Sequence, residues 1–326
     1  MEINSKKIEE LVSKSSNVII VSHKHLDLDA LGSCLGMHYI CSGLNKNAYI
    51  LVNDESHEDG VKRAFNKLEE LKYKLNINNF NQVKKILNKD SLLVILDTNR
   101  EQLLQSPDIL KIKTKKILLD HHICGEDSIK KLDYEYINTE ESSTAEIIIE
   151  IIDDLGIYIP SYAATVMLAG IFIDTNRFYL KTTKRTFKAG ALLTKFGADM
   201  NELQYLLKQD FYEYTQRQKI VISTSFINKE MALAVGEDDK IYEKQNIAKA
   251  ALTILQFKDI EASFVIAKTK ENEISISARS LGEINVQQIM NRMGGGGHST
   301  DAAAQLKGST ISEARELLLE SIFGKK

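Results

Sequence analysis

The stretch VIIVSHKHLDLDALGS, residues 18–33, joins an apolar run to a cluster of titratable side chains. The run at residues 18–21 is typical of a buried β-strand. Two histidines and two aspartates follow within seven positions, namely His23, His25, Asp27 and Asp29. Carboxylates this close together repel each other and lose favourable hydration when they are buried. We therefore expect a bound positive charge to compensate them.

Alternating apolar and amphipathic segments continue through the first half of the chain. Runs typical of strands lie at residues 17–22, 48–52, 92–97, 116–120 and 134–138, and amphipathic segments lie at 6–13, 29–42, 60–71, 82–88 and 143–154. Strands that are apolar throughout, with helices between them, predict an α/β fold with a mostly parallel sheet and helices on both faces. The sequence Ser143-Thr144-Ala145-Glu146 fits a capping box at the start of the last helix.

The second half of the chain has a different pattern. Residues 161–218 look almost wholly helical, and we expect them to complete the first domain and to provide a connecting helix. Further on, MALAVGED, IEASFVIAKT and EISISARS are typical of strands, and residues 244–256, 286–293 and 311–320 are typical of helices. The sequence thus predicts a first domain at residues 1–225, connecting helix included, and a smaller α+β domain at residues 226–326.

Bulk properties exclude some classes of protein. The 326 residues are 43% hydrophobic and 27% charged, which is typical of a globular protein with a sizeable core. A net charge of −3 argues against nucleic-acid binding driven by bulk charge. The three cysteines lack metal-ligand spacing, and we expect free thiols in a reducing compartment. Since no apolar run reaches about 18 residues, we expect a cytoplasmic protein, tethered to a membrane only if the chain is part of a larger one.

Further acidic and histidine residues follow other predicted strands. Asp97 ends LLVILDTN, the sequence KKILLDHHICG carries Asp120, His121 and His122, and Asp174 follows the apolar stretch TVMLAGIFI. Ligands of open α/β sheets bind outside the carboxyl ends of the strands, so we expect these side chains at one edge. With the opening stretch they give six candidate metal ligands: His23, Asp27, Asp29, Asp97, His121 and Asp174. Carboxylate and imidazole ligands favour Mn²⁺ or Mg²⁺ ahead of Zn²⁺, and six suit two ions that share a carboxylate.

A glycine-rich segment near the C-terminus predicts a second binding site. Gly294, Gly295, Gly296 and Gly297 lack a Cβ atom, so their backbone amides can surround an anion, and His298 follows at once. We expect Ser299 or Thr300 to cap a helix that begins at Asp301-Ala-Ala-Ala and directs its positive dipole end at a phosphate. Upstream, Arg279 ends a predicted strand beside Ser280 and can clamp a phosphate with two donors.

The ordered set of motifs resembles that of a known superfamily. His23-x-x-x-Asp27-x-Asp29-Ala-Leu-Gly-Ser, Asp97-Thr, Asp120-His121-His122 and Asp174 resemble the motif series of the DHH phosphoesterases. GGGGHSTDAAAQL resembles the glycine-rich motif of the DHH-associated domain in RecJ-like and nanoRNase-like members. SARSLGEINVQQIMNRMGGGGH and SSTAEIIIEII are similar to cyclic-di-AMP phosphodiesterases of the GdpP type. These matches span residues 18 to 306.

The resemblance implies a role for each motif residue. One Mn²⁺ would be held by His23, Asp27 and Asp97, and a second by Asp29, Asp97, His121 and Asp174, with Asp97 bridging; Mg²⁺ or Co²⁺ are alternatives. Asp120 would support the histidine pair, and His122 would face the substrate phosphate as a hydrogen-bond donor or proton source. Arg279, Ser280, the four glycines and His298 would hold the rest of the nucleotide. His25 has no counterpart in the motif, so we expect an ordinary loop residue.

The resemblance implies that the protein hydrolyses cyclic di-AMP to 5′-pApA, and further cleavage to AMP is an open alternative. It also implies that the protein is a homodimer. A nanoRNase or 3′-phosphoadenosine phosphatase acting on short linear oligonucleotides or pAp is the alternative within the same chemistry. A dinucleotide sensor without catalysis is the alternative from another class. We expect no long nucleic acid as substrate, since no basic stripe with interleaved aromatic residues is present. The GdpP type also carries membrane helices and PAS and degenerate GGDEF-like domains that this sequence lacks, so a stand-alone protein and an excised catalytic region both remain open.

Overall fold

Six parallel strands form the sheet of the N-terminal unit, Met1–Lys208, within the residues that the structure describes. The structure is a computed structural model that describes residues 2–53, 57–125 and 127–324. The strands are β1 (Val18–Val21), β2 (Ala48–Leu51), β3 (Ile77–Asn78), β4 (Leu92–Leu96), β5 (Lys115–Asp120) and β6 (Tyr134–Ile137). Their order in the sheet is β3-β2-β1-β4-β5-β6, so β1, β4 and β5 lie side by side at its centre.

Helices cover both faces of this sheet. They are α1 (Ser5–Lys14), α2 (Leu28–Gly43), α3 (Asp59–Glu70), α4 (Phe80–Ile86), α5 (Thr144–Leu155), α6 (Ser161–Asp174), α7 (Lys184–Lys195) and α8 (Met200–Leu206). Along β1, Val18 and Ile20 lie in the larger core with α2, α5 and α6, whereas Ile19 and Val21 lie in a smaller core with Val83 of α4. The strand is therefore buried on both faces, and the predicted α/β fold is confirmed.

Two glycines allow α2 and α6 to pack closely. A Cβ atom on Gly32 would lie 2.8 Å from Cα of Met167, and one on Gly170 would lie 2.6 Å from Cα of Asp29. Contacts this short are not tolerated, so these positions require glycine. The close approach brings the first turn of α2, which carries Asp29, beside the last turn of α6, which ends at Asp174.

The C-terminal unit, Gln209–Lys326, has a second sheet of mixed direction. Its strands are β7 (Ser225–Phe226), β8 (Met231–Val235), β9 (Ala262–Lys270), β10 (Glu273–Ser280), β11 (Gly296–Gly297) and β12 (Asp301–Lys307), and its helices are α9 (Phe211–Ile222), α10 (Lys244–Ile254), α11 (Val286–Arg292) and α12 (Ile311–Phe323). The order is β11-β12-β10-β9-β8-β7; β8 and β9 are parallel and the other neighbours antiparallel. The predicted smaller α+β unit is confirmed.

The helix predicted to begin at Asp301 is wrong, because residues 301–307 form β12. Ala302 and Ala304 are buried in the sheet while β12 pairs with β10 along its whole length. The last two glycines before it form the short strand β11, and the chain approaches β12 so closely that a Cβ on Gly295, directly before β11, would overlap the carbonyl oxygen of Ala303. The close approach to β12 therefore accounts for Gly295 and Gly297, and no helix N-terminus follows the glycines.

Two smaller predictions also need correction. The segment 161–218 is interrupted by residues 175–183, which form no helix. Ser143 caps α5 by accepting a hydrogen bond from N of Glu146 at 3.1 Å, but the Glu146 carboxylate accepts from Ser142 Oγ and does not complete the box.

Among the described residues, no helix combines the length and the apolar character needed to span a membrane.

Candidate metal centre

The six predicted metal ligands meet at the carboxyl ends of the central strands. His23 follows β1, Asp97 follows β4, and His121 follows β5. Asp27 and Asp29 lie at the start of α2, where Asp27 Oδ1 caps the helix by accepting from N of Ala30 at 2.9 Å. Asp174 ends α6. Their ligand atoms fall into overlapping groups of three, each group lying within 4.8 Å.

The first group contains His23, Asp27 and Asp97. Nε2 of His23 lies 3.6 Å from Oδ2 of Asp27 and 3.4 Å from Oδ2 of Asp97. Nδ1 of the same ring lies 2.6 Å from the carbonyl oxygen of Lys24, which can only accept a hydrogen bond. Nδ1 therefore carries a proton, and the lone pair of Nε2 faces the carboxylates in the neutral ring.

The second group contains Asp29, His121 and Asp174. Nε2 of His121 lies 3.3 Å from Oδ2 of Asp174, 3.5 Å from Oδ1 of Asp97 and 3.9 Å from Oδ2 of Asp29. Asp97 thus presents one carboxylate oxygen to His23 and the other to His121. A third group joins Asp97 and His121 to His122.

These residues fit divalent cations. Both ring nitrogens of His121 are buried and make no hydrogen bond to any described residue, although three carboxylates surround Nε2. Buried polar atoms without a partner are rare in folded proteins, and an ion is one of the accepted reasons for them. Imidazole and carboxylate donors without thiolates suit hard or borderline divalent ions. The arrangement could hold two such ions, one on each side of Asp97.

The N-terminus of α5 supports two of the carboxylates. The backbone N–H groups of Thr144 and Ala145 donate to Oδ2 and Oδ1 of Asp29, each over 2.8 Å. The hydroxyl of Thr144 donates to Oδ1 of Asp97 over 3.0 Å. The helix dipole therefore directs its positive end at Asp29. The sequence marks Thr144 only as part of a capping motif and does not predict its hydrogen bonds to Asp29 and Asp97.

The electrostatics of the group call for added positive charge. Burial, and then the charges of neighbouring aspartates, raise the pKa of Asp29 and of Asp174 well above the ordinary value, and Lys181 opposes the rise at Asp174. Burial alone would lower the pKa of His23, but Asp27 and Asp97 raise it to about 12. Without cations, protons must therefore offset the crowded carboxylates, whereas bound cations would take the place of those protons.

Asp120 contacts the loop after β5 and belongs to none of the three ligand groups of the described residues. Its Oδ1 accepts hydrogen bonds from N of His121 at 2.8 Å and from N of His122 at 3.1 Å, and it lies 2.8 Å from Nδ1 of His122. Its Oδ2 accepts from Nδ2 of Asn99 at 2.7 Å, and Asn99 also donates to the carbonyl of His122. The buried Asn99 thus helps to hold Asp120 and the loop that carries His122. The sequence motifs do not predict this role, and the one sequence feature that could have indicated it is an amide side chain two residues after Asp97.

His122 and His25 lie at the margin of the centre. The His122 side chain is 55% exposed, and although burial lowers its pKa, Asp120 and Asp97 raise it overall. His25 is exposed, has a φ of +51°, and belongs to none of the three groups formed by the described residues.

The predicted substrate residues of the C-terminal unit lie along β10 and the β11–β12 hairpin. Nη1 of Arg279 is 2.6 Å from Oδ1 of Asp301 and donates to Oγ of Ser277 at 3.1 Å and to the carbonyl of Ala278 at 2.9 Å. Burial lowers the pKa of Arg279, and Asp301 opposes this. A phosphate clamp would therefore have to use the other guanidinium nitrogens or displace Asp301. Ser280 is buried and donates its backbone N–H to the carbonyl of Thr300.

The glycine run ends in a tight turn. Gly294 and Gly297 have φ of +75° and +142°, values that favour glycine. His298 donates its backbone N–H to the carbonyl of Asp301 over 2.6 Å, and its side chain is exposed. Gly296 pairs with Ala303 of β12. The structure thus brings Arg279, paired with Asp301, and His298 to the same end of this sheet.

Comparisons with known proteins show the family of the chain. Residues 17–171 match the DHH family, N-terminal domain, and residues 223–323 match the DHHA1 domain. The chain is 37% identical to the cyclic-di-AMP phosphodiesterase PdeA of Listeria monocytogenes over 98% of this chain and 49% of that protein, so it spans about half the length of this relative. It is 24% identical to the bifunctional oligoribonuclease and PAP phosphatase NrnA of Thermus thermophilus, over 96% of this chain and 91% of that protein.

A solved structure shows the same fold over nearly the whole chain. The exopolyphosphatase-related protein from Bacteroides fragilis superposes with a TM-score of 0.80 at 20% identity, covering 98% of this chain and 95% of that chain. The matches to the two family models confirm the resemblance inferred from the ordered aspartate and histidine motifs and the glycine-rich motif. The chain belongs to the DHH family and carries a DHHA1 domain after its DHH domain.

Proposed function

We propose that the chain is a two-metal phosphodiesterase that uses Mn²⁺ to hydrolyse cyclic di-AMP to 5′-pApA. The observation that carries the proposal is the position of Asp97, whose two carboxylate oxygens face His23 and His121 in two adjoining ligand groups. A carboxylate in this position can bridge two ions. Two bound ions would supply an activated water and would neutralise charge on the scissile phosphate. A sensor that does no chemistry has no need of such a ligand set.

The residues around the ligands would position the reacting groups. His23, Asp27 and Asp97 would hold one ion, and Asp29, Asp97, His121 and Asp174 the other. Asp120 fixes Nδ1 of His122, which leaves Nε2 of that ring to donate a hydrogen bond to a phosphate oxygen or a proton to the leaving 3′ oxygen. Thr144 would keep the Asp97 carboxylate in its bridging orientation.

We also propose that the two domains of the chain have different functions. Residues 1–225 would form the metal-binding phosphoesterase domain with its connecting helix, and residues 226–326 the substrate-binding domain. Arg279, Ser280, the glycine run and His298 would bind the part of the nucleotide that does not react. Binding energy from such remote groups positions the scissile phosphate and raises selectivity over simpler phosphate esters.

Two relatives favour different substrates. The similarity to PdeA, at 37% identity, supports cyclic di-AMP. The similarity to NrnA is lower, but the chain covers 91% of that protein, which supports short linear oligonucleotides or pAp as the second candidate. We favour cyclic di-AMP because the higher identity extends over both units of the chain.

One product analysis separates these candidates. The protein is incubated with Mn²⁺ and, in parallel, with cyclic di-AMP, cyclic di-GMP, pApA and pAp, and the products are separated by chromatography. We expect cyclic di-AMP to give pApA faster than any other substrate reacts. Faster cleavage of pApA or pAp would favour the NrnA-type activity, and binding of cyclic di-AMP without any product would favour the sensor.

From the family resemblance we further propose that the active protein is a homodimer. Sedimentation velocity at micromolar concentration tests this directly. We expect a species of twice the chain mass, and a monomer that turns over at the full rate would contradict it.

A further inference from the structure

A pocket of about 560 Å³ in the N-terminal unit has no role in the proposal above. Its lining includes Phe178, Tyr179, Lys181 and Phe187 from one segment of the chain and Thr139 and Glu140 from another. Its volume lies in the range of small-molecule sites. The mixture of aromatic, cationic and carboxylate side chains suits a ligand that is itself aromatic and polar.

Part of the pocket lining follows the same edge of the sheet as the ligand groups. Ile137, the last residue of β6, pairs with Asp120, the last residue of β5, and the next residue donates its N–H to the Asp120 carbonyl. Thr139 and Glu140 follow directly. The aromatic wall, formed by lining residues from Phe178 to Phe187, begins four residues after Asp174 in the sequence. A ligand in the pocket would therefore adjoin a substrate bound at the metal centre.

The segment that forms the aromatic wall is held in an unusual backbone conformation. Asn176, Arg177, Phe178 and Lys181 have φ of +45°, +63°, +65° and +45°. Such values are unfavourable for side chains other than glycine and persist only where the surroundings enforce them. The buried Thr175 does so here, since its hydroxyl accepts from N of Phe178 at 2.9 Å and its carbonyl accepts from N of Leu180 at 2.8 Å.

Two aromatic rings of the pocket lining are largely exposed. Tyr179 is 76% exposed and Phe187 is 62% exposed. The Phe187 ring lies near-parallel to that of Phe178, with 22° between planes and 5.8 Å between centroids, and Phe178 packs edge-on against Phe172. The wall is thus packed at its base and exposed at Tyr179. Nucleobases stack on such rings.

We propose that this pocket is a nucleobase subsite, in which Tyr179 stacks on the base of the nucleotide at the metal centre and Lys181 faces its phosphate. Glu140 can accept a hydrogen bond from an exocyclic amine or a ribose hydroxyl. Lys181 and Glu140 in one pocket favour a nucleotide over the apolar face of a protein partner. The inference rests on the proposed function in that the phosphate of the same nucleotide occupies the metal centre.

Fluorescence of a nucleotide analogue tests the subsite. The 5′-monophosphate of 2-aminopurine riboside loses fluorescence when its base stacks, and AMP or ribose 5-phosphate can then displace it from the full chain. All measurements use the Arg279→Ala background, which removes the binding site proposed for the C-terminal unit. The variants are Tyr179→Ala, Tyr179→Phe and, as a matched control, Tyr158→Ala. Tyr158 is 72% exposed in the same unit and lies outside the pocket.

We expect Tyr179→Ala to weaken AMP binding about tenfold or more, to abolish the quenching, and to leave ribose 5-phosphate binding unchanged, as loss of one stacked base predicts. Tyr179→Phe and Tyr158→Ala should bind AMP and ribose 5-phosphate, and quench the analogue, as the Arg279→Ala protein does. Unchanged AMP binding in Tyr179→Ala, or an equal loss for both ligands, would overturn the subsite. Weaker self-association in Tyr179→Ala with unchanged AMP binding would assign the surface to a protein contact and overturn it too.

The outcome of this test is independent of the outcome of the product analysis described under the proposed function. A chain that cuts no phosphodiester but shows Tyr179-dependent AMP binding would keep the subsite and lose the proposed function. Hydrolysis of cyclic di-AMP by a chain whose AMP binding does not depend on Tyr179 would support the proposed function and overturn the subsite.

Discussion

The hydroxyl of Thr144 donates a hydrogen bond over 3.0 Å to Oδ1 of Asp97, the same oxygen that lies 3.5 Å from Nε2 of His121. The backbone N–H of Thr144 donates at the same time to Asp29. One residue at the start of α5 therefore orients two of the carboxylates proposed to bind metal, and it does so from a buried position. Partners of this kind tune affinity as strongly as some ligands do.

Thr144→Val should remove the hydroxyl donor while it keeps the backbone contact with Asp29. We expect the affinity for Mn²⁺ and kcat/KM each to fall about 10- to 100-fold, as for other residues that orient ligands. Thr144→Ser keeps the hydroxyl and should restore both. Calorimetric Mn²⁺ titration and steady-state kinetics provide the measurement, and a Thr144→Val variant with wild-type Mn²⁺ affinity would refute the orienting role.

Gly170→Ala should perturb both the fold and the metal centre. Because the added Cβ would lie 2.6 Å from Cα of Asp29, we expect the free energy of unfolding to fall by about 1–3 kcal/mol and Mn²⁺ binding to weaken. Gly190→Ala in α7 is the matched control, since its Cβ would meet only Leu168 Cδ1 at 3.9 Å. The control should stabilise the protein by about 0.5–1 kcal/mol. Urea unfolding measures both, and equal effects would contradict the packing argument.

A pair of buried glutamates next to α5 gives the protein a pH-dependent stability. Oε2 of Glu141 and Oε1 of Glu146 are buried without a hydrogen-bond partner among the described residues. Oε1 of Glu141 accepts from Tyr136 and Asn138 and pairs with Arg185. Burial and the neighbouring Glu146 nonetheless raise the pKa of Glu141 to about 8. The folded protein therefore holds a proton there that the unfolded chain releases near its ordinary pKa of 4.5.

The sign of the effect follows from this rise in pKa. The folded state binds more protons than the unfolded state between pH 4.5 and 8, so the contribution of Glu141 is complete below pH 4.5 and is lost as the pH rises through 8. Glu141→Gln cannot ionise. We expect the free energy of unfolding of the wild type, relative to this variant, to decline by roughly 1–3 kcal/mol from pH 5 to pH 8.5. Urea unfolding at several pH values measures it, and parallel curves for the two proteins would contradict the raised pKa of Glu141.

Arg279→Ala should act on substrate and not on metal. We expect KM for cyclic di-AMP to rise, or kcat/KM to fall, about tenfold or more, because a charged hydrogen bond to phosphate is lost. Mn²⁺ content, measured by elemental analysis of the dialysed protein, should stay at the wild-type value. Loss of bound Mn²⁺ in this variant would count against its role in substrate binding.

The sequence allowed some parts of this structure to be predicted, and the reason is physical. His23, Asp97 and His121 each follow a run of apolar residues, and the ends of parallel strands share an edge whatever the loops do. The strand β12 was missed because Asp301-Ala-Ala-Ala has helical propensity, and only its long-range pairing with β10 overrides it. Propensity is a weak guide where such pairing decides the structure.

Contacts between side chains that are distant in sequence could not be predicted, for the same reason. Thr144 and Asp97 are 47 residues apart, and nothing local marks their contact. The segment 175–183 carries no proline or glycine, so its break in the helical region left no signal. Its left-handed residues are imposed by contacts of Thr175, and propensity alone does not reveal them.

The most direct test of the account is the number of Mn²⁺ ions bound per chain, measured by equilibrium dialysis and elemental analysis in wild type and in Asp97→Ala. Asp97 faces both histidines, so we predict two ions per chain in the wild type and loss of both, together with all hydrolysis of cyclic di-AMP, in the variant. A wild type that binds a single ion, or an Asp97→Ala protein that keeps two ions and its activity, would contradict the bridging role of Asp97.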